Sequence, residues 1–202
     1  MTKLKKKIKY LFTYPCKLWY DLKEGRMVSM AKQGIFTAKE LTVYIKNKYK
    51  KYTNNKRDIT PIKLQKALYF CFAYWAGFVG KGKIDNQISN TENQILFDDK
   101  IEAWSFGPVV PSAYYNEKLP SFFQNEKELL NRANVIFHNN TLLKETIDSI
   151  LNDIFEISDF KLVSLSHMDK SWQNHFNQAA NKHNEEIPKE EIINEYTAKE
   201  FN

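Results

Sequence analysis

The stretch TPIKLQKALYFCFAYW, Thr60 to Trp75, constrains this chain more than any other. Thr60 is a ready N-cap, and Pro61 stands at the first helical position, where its missing N–H costs nothing. Leu64, Leu68, Phe72 and the Trp75/Ala76 pair recur at helical spacing, and Ala67, Cys71 and Tyr74 widen the stripe. The pattern predicts a central helix, buried on much of its surface and ended by Gly77 and Gly80.

The rest of the chain suits a helical body around that element. The 202 residues suffice for one domain with a real core plus an extension, and a hydrophobic content of 43% supports packing. Six glycines and six prolines, amid abundant Lys, Glu, Leu and Ile, favour helices over a sandwich or barrel. No apolar run approaches the roughly eighteen residues of a membrane span. Lys9, Pro15, Lys17 and Asp21 interrupt any signal-peptide apolar region. Cys16 and Cys71 alone make no disulfide framework, which fits a reducing cytosol.

Charge is uneven. Through Arg57 the chain carries 16 Lys/Arg against 3 Asp/Glu, and the remainder carries 14 against 21. A basic N-terminal third therefore precedes an acidic body, and it suits an acidic partner, nucleic acid or an anionic membrane surface. Residues Thr2 to Tyr14 read as a basic amphipathic helix with Leu4, Ile8, Leu11 and Phe12 on one face. Leu18, Trp19 and Leu22 suggest a second helical piece ending near Gly25. Residues 1–36 form the basic helical N-terminal extension, with Lys5, Lys6 and Trp19 as its candidate partner contacts. A compact domain then spans 37–202.

Within that domain, Thr37-Ala-Lys-Glu40 is a capping-box pattern opening a helix to about Tyr52. Ile95–Phe97 and Ile101–Trp104, separated by Asp98-Asp99-Lys100, predict a short β-hairpin lying on the helices. A sharp turn over Ser105 to Pro111 and a helix over Ala113 to Leu119, capped by Ser112, follow. Phe122 and Phe123 are expected core aromatics. Glu126–Ala133 predicts a modest helix, Thr141–Ile157 a strongly periodic one, and Ser158 caps another containing Phe160, Leu162, Val163 and Leu165. A turn over His167–Ser171, a helix over Trp172–His183 and a last helix opened by Pro188 complete the chain. The fold class is mainly α with a small β-hairpin, α+β at the margin.

Catalytic chemistry finds little support in the residues. His167, His175 and His183 are spaced by eight, which drifts about 80° per step on a helix and does not converge as a metal pair does. No nucleophile elbow, paired cysteine motif or phosphate-cradling glycine loop is present. No catalytic residue, metal ligand or cofactor is assigned. For nucleic acid, basic residues interleave with Tyr10, Tyr14, Trp19, Tyr44, Tyr49 and Tyr52, without any helix-turn-helix, zinc or RNA-stacking signature.

Three motifs in order carry a resemblance. KLQKALYF (Lys63 to Phe70), EAWSFGPVVPSAYY (Glu102 to Tyr115) and LSHMDKSW (Leu165 to Trp172) resemble the Panacea domain, also called the SocA-like antitoxin domain. The resemblance covers roughly Leu41 to Asn181. Ala67 stands where the family usually has leucine, and Asp-Lys-Ser precedes Trp172 where a proline is common. The resemblance implies a cytosolic antitoxin that neutralises a cognate toxin protein by direct binding, with no enzymatic site. It leaves open occlusion of the toxin against its delivery to a protease. Alternatives are a phage- or element-borne inhibitor or adaptor of another host protein, or a nucleic-acid-binding regulator.

On that reading Trp104, Gly107, Pro108, Tyr114, His167 and Trp172 define the fold's motif. Gly107-Pro108 lets the chain turn closely under Trp104 and Phe106. Lys63 and Lys66 stand on the polar side of the central helix, within reach of the carbonyls and acids of that turn, Glu102 among them. With Ser105, Phe106 and Tyr115 they are expected to form an exposed rim that meets the toxin.

Overall fold

A computed structural model of the chain describes residues 18–21, 26–29, 34–85, 92–116, 125–178 and 185–199. The chain divides into two units, Met1–Lys32 and Gln33–Asn202. In the first, β1 (Leu18–Asp21) and β2 (Arg26–Ser29) pair antiparallel, with Trp19 opposite Val28 and Tyr20 opposite Met27. The helical piece expected from Leu18 is therefore corrected to a strand over Leu18–Asp21. Trp and Tyr are residue types that favour strands over helices. The helix expected over Thr2–Tyr14, with Lys5 and Lys6, lies outside the described residues, as do Phe122 and Phe123.

The second unit is built on α2 (Pro61–Ile84), whose start follows from the sequence: Thr60 Oγ1 accepts from the Lys63 N–H at 3.1 Å and Pro61 opens the helix. Leu64, Ala67, Leu68, Cys71, Phe72, Trp75, Ala76 and Val79 are all buried. α1 (Ala38–Tyr52) precedes it. Its capping box is complete, with Thr37 Oγ1 accepting from the Glu40 N–H and Glu40 accepting from the Thr37 N–H at 2.8 Å. Phe36, before the cap, is buried in the core of this unit and forms a parallel bridge with Phe97.

Downstream lie β3 (Glu102–Trp104), β4 (Gly107–Val109), α3 (Pro111–Asn116), α4 (Glu126–Asn139), α5 (Thr141–Glu156), α6 (Asp159–Ser166), α7 (Lys170–Gln178), β5 (Glu185–Glu186) and α8 (Lys189–Ala198). Among the described residues the unit is mainly helical, with eight helices around one antiparallel sheet in the order β4-β3-β5. Asn140 and Ser158 cap α5 and α6 through their side chains. The last helix follows Pro188, with Glu190 and Glu191 at its positive end.

Three expectations are corrected here. The hairpin does not turn at Asp98–Lys100 but at Ser105–Phe106, with Trp104 opposite Gly107 and Glu102 opposite Val109. The two aspartates are instead occupied as anchors. Asp99 accepts from the Ala38 N–H at 2.8 Å and from Ser112 Oγ at 2.5 Å, and Lys189 donates to the Asp98 carbonyl at 2.9 Å. Ser112 is thus not a cap, and Pro111 opens α3. Helix α4 continues to Asn139 rather than stopping near Ala133.

The central helix also does not end at Gly77 and Gly80. Both lie inside it, because α8 packs on this face with almost no clearance. A Cβ on Gly77 would sit 2.6 Å from the Tyr196 carbonyl oxygen, and one on Gly80 2.3 Å from Thr197 Oγ1. Replacing Gly by Ala in a helix ordinarily gains about 1 kcal/mol. Gly77→Ala is expected to lose about 1–3 kcal/mol instead, since the obstructing atoms are backbone. Urea unfolding of the variant against the parent measures this, and an unchanged or raised midpoint contradicts the packing.

Candidate functional site

The sheet is held to the central helix by two neighbouring polar side chains. β4 is an outer strand of the sheet, and an outer strand presents unpaired backbone groups. Gln65 Oε1 accepts from the Val110 N–H at 2.9 Å, and Lys66 Nζ donates to the Pro108 carbonyl at 2.7 Å. Proline at 108 withdraws one donor from the ladder, so fewer groups need a partner. Gly107 has φ +89°, in the region that favours glycine, and its missing side chain is where the lysine tip and Ser166 sit.

Lys63 and Lys66 therefore do not belong to an exposed rim. Lys66 is 1% exposed and Lys63 is 7% exposed. Lys63 Nζ donates to the carbonyl of Ile157 and, at 3.4 Å each, to those of Ile154 and Phe155, with Asp159 Oδ1 3.7 Å away. It closes the C-terminal end of α5, where carbonyls lack helical partners and the helix dipole is negative. Long aliphatic stems let both lysines cross the core face while their heads find carbonyls. Burial pulls the Lys66 amine down to about 7.

Around this base the aromatic residues form two groups. Trp104 meets Tyr114 edge to face, with ring centroids 5.2 Å apart, and Tyr115 contacts both. Trp104 Nε1 donates to Glu102 Oε2 at 2.9 Å, so Glu102 bonds the indole rather than a lysine. Behind it, His167 stacks on Trp172 at 4.0 Å and 7°, and Trp172 stacks on Phe176 at 4.6 Å. Trp172 Nε1 donates to the Trp104 carbonyl at 3.1 Å, tying α7 to β3. Burial first, and then the Lys66 charge, hold His167 below the usual imidazole range, against a bond to the Ser105 backbone. A neutral ring suits its stacking on an indole.

The structure thus brings Trp104, Gly107, Pro108, Tyr114, His167, Trp172 and Lys66 into one neighbourhood, and it places Lys63 at the end of α5. Ser105, Phe106 and Tyr115 are on the surface; Phe106 is 63% and Tyr115 54% exposed. Phe160 on α6 is 80% exposed, and Met168 just beyond that helix is 71% exposed. Sequence reasoning missed both. Phe160 followed a capped start and so read as one more apolar helix residue. Its only distinguishing signal is its position ahead of the buried Leu162 rather than in register with it.

A second polar centre lies at the start of α7. Asp169 is buried, and its carboxylate accepts from Tyr69 Oη at 2.7 Å, Tyr196 Oη at 2.9 Å and Lys199 Nζ at 2.6 Å. Glu195 accepts from the N–H groups of Lys170 and Ser171 at 2.9 Å each. Burial opposes its charge, but these bonds prevail and hold it below the usual carboxylate range. Beside them is an open groove of about 470 Å³ between α7 and α8. Among the described residues no group of His, Cys, Asp and Glu is arranged to hold a metal ion, and no helix is long and apolar enough to cross a membrane. Cys71 is fully buried, and burial pushes its thiol well up.

The support of the rim makes a sharp expectation. A Cβ at Gly107 would meet Ser166 Oγ at 2.3 Å and Lys66 Nζ at 2.8 Å, at a backbone angle unsuited to alanine. Gly107→Ala is expected to cost about 1–3 kcal/mol and to shift the fluorescence of the nearby tryptophans. Chemical unfolding followed by fluorescence checks both; a variant as stable as the parent contradicts the close seating.

Comparison with known proteins agrees with the motif. No curated protein and no solved structure matches the chain. Residues 83–173 match the family described as Antitoxin SocA-like, Panacea domain. The matched span holds Trp104, Gly107, Pro108, Tyr114, His167 and Trp172, while Lys63 and Lys66 lie before it. Over residues 83–173 the chain is a match to the SocA-like antitoxin, Panacea-domain family.

Proposed function

We propose that this chain is an antitoxin that neutralises a cognate toxin protein in the cytoplasm by direct binding, without turning over a substrate. The family match over residues 83–173 carries this reading. The geometry supports it: exposed apolar side chains stand on a base of buried, mutually bonded groups. Phe106 projects from a two-residue turn whose flanks are fixed by Trp172 and Lys66. Rigid aromatic anchors of this kind lose little conformational freedom on binding and dominate interface energetics.

In this reading residues 37–202 are the antitoxin domain. Ser105, Phe106 and Tyr115 make the toxin contact. Trp104, Gly107, Pro108, Tyr114, His167 and Trp172, with Lys63 and Lys66 beneath, hold that contact in shape. The basic extension over residues 1–36, through Lys5, Lys6 and Trp19, adjusts partner choice.

The test is growth rescue. An open reading frame adjacent to this gene that arrests growth alone is expected to be silenced by co-expression of the chain. The double variant Phe106→Ser, Tyr115→Ser is expected to lose rescue while its melting temperature stays near the parent's, because both side chains are exposed. A chain lacking residues 1–32, which leaves Phe36 in the core, is expected to rescue weakly. Full rescue by the double variant removes the rim from the toxin contact, and full rescue by the truncated chain removes the extension.

A further inference from the structure

Lys66 is a buried cation without an anion. Among the described residues its one hydrogen-bond acceptor is the Pro108 carbonyl, and no carboxylate pairs with it. An ammonium has three donors, and taking it out of water with one neutral acceptor leaves much of its hydration uncompensated. The element that covers it is the hairpin turn. Gly107 has no side chain, and the place its Cβ would occupy is 2.8 Å from Lys66 Nζ and 2.3 Å from Ser166 Oγ. The groups facing the lysine from the packed elements are the Pro108 carbonyl on β4, the Ser166 hydroxyl on α6, and His167 just after α6. Of these only His167 titrates, and it feels the lysine charge. Ser166 Oγ already donates to the Val163 carbonyl at 2.9 Å.

We propose that Lys66 is a positioning residue for the partner-binding rim, and that seating of the Ser105–Gly107 turn over its amine is coupled to release of the amine's proton to solvent. The turn carries Phe106, so the presentation of the rim depends on pH near neutrality. The functional meaning of this coupling rests on the rim being the toxin contact; the coupling itself does not.

The direction follows from the burial. Free in water the amine holds its proton to 10.5, whereas under the seated turn it holds it only to about 7. Across that window the unseated state binds more protons, so rising pH favours the seated turn. His167, held below 6.5, acts in the same direction but at lower pH. Tyr44, Tyr69, Tyr196 and Cys71 are all pushed up by burial and act in the opposite sense, beginning where their unfolded forms ionise. The window from about pH 7 to about pH 8.5 therefore isolates the lysine.

Hydrogen exchange of the full chain, corrected for the intrinsic rate at each pH, tests the proposal. Protection of the peptide covering residues 101–110 is expected to rise by up to about tenfold per pH unit between about pH 7 and about pH 8.5. The peptide covering α1 is expected to change much less. Lys66→Met, similar in length and without a proton, is expected to flatten the profile. Lys66→Arg, charged throughout, is expected to leave the turn poorly protected at every pH. A flat parent profile, an equal rise in the α1 peptide, or a slope that persists in Lys66→Met overturns the proposal. Should the variants fold poorly, carbon-13 titration of the parent's lysine side chains decides: one midpoint near 7 supports the coupling, and midpoints all above about 9 refute it. None of these readings involves the toxin, so a failure of growth rescue leaves this result standing and the reverse holds equally.

Discussion

Two polar side chains on the core-facing side of the central helix take the place that a further strand would have beside β4. Gln65 supplies the acceptor for Val110 and Lys66 the donor for Pro108. A three-stranded sheet this short has little stability of its own. Here its outer edge is satisfied by a helix, which removes the unpaired groups that would otherwise seek another chain. The arrangement also fixes the height of the sheet above the helix to within a hydrogen bond. Everything built on the hairpin, from the Trp104 ring to the Phe106 tip, inherits that position.

The aromatic stack of His167, Trp172 and Phe176 then serves as the second wall. The indole N–H of Trp172 is spent on the Trp104 carbonyl, and His167 bonds the Ser105 backbone. α7, which carries Trp172 and Phe176, is in turn anchored through Glu195 on α8, and Asp169 just before it through Lys199 beyond that helix. A carboxylate at each point accepts from N–H, O–H or ammonium donors, and the buried one, Asp169, is itself satisfied by three of them. The rim thus rests on two supports, one from α2 directly and one reaching through α7 to α8, which itself packs on α2.

Much of this was legible in the residues. Thr60-Pro61, the Thr37 capping box, Ser158 and Pro188 mark helix starts by local chemistry that tertiary packing does not override. The helical class and the importance of the Trp104–Pro108 string were also visible. What was not visible depends on partners distant in sequence. Gly77 and Gly80 look like stops because a glycine's effect on helix propensity is local, whereas its use here is to admit Tyr196 and Thr197 from a helix more than a hundred residues later. Lys63 and Lys66 look solvated because a lysine's charge is local information, whereas the carbonyls that receive it come from α5 and β4. The hairpin register moved for a similar reason. Asp98-Asp99 reads as a turn, yet the anchors that use these residues lie at Ala38, Ser112 and Lys189.

The same distances have a kinetic side. The central helix packs on α1, α5, α6 and α8, on β4, and on α3, so its neighbours come from residues 38 through 198. Few of those contacts can form before large segments of the polypeptide have been brought together. Closing such loops costs entropy before it is rewarded, and chains dominated by contacts of this range reach their native state more slowly than helical proteins with neighbouring partners. A helix as apolar as α2, waiting for companions from both directions, spends that interval with its surface uncovered. A newly made chain of this design is therefore exposed to aggregation and proteolysis until its last helix docks.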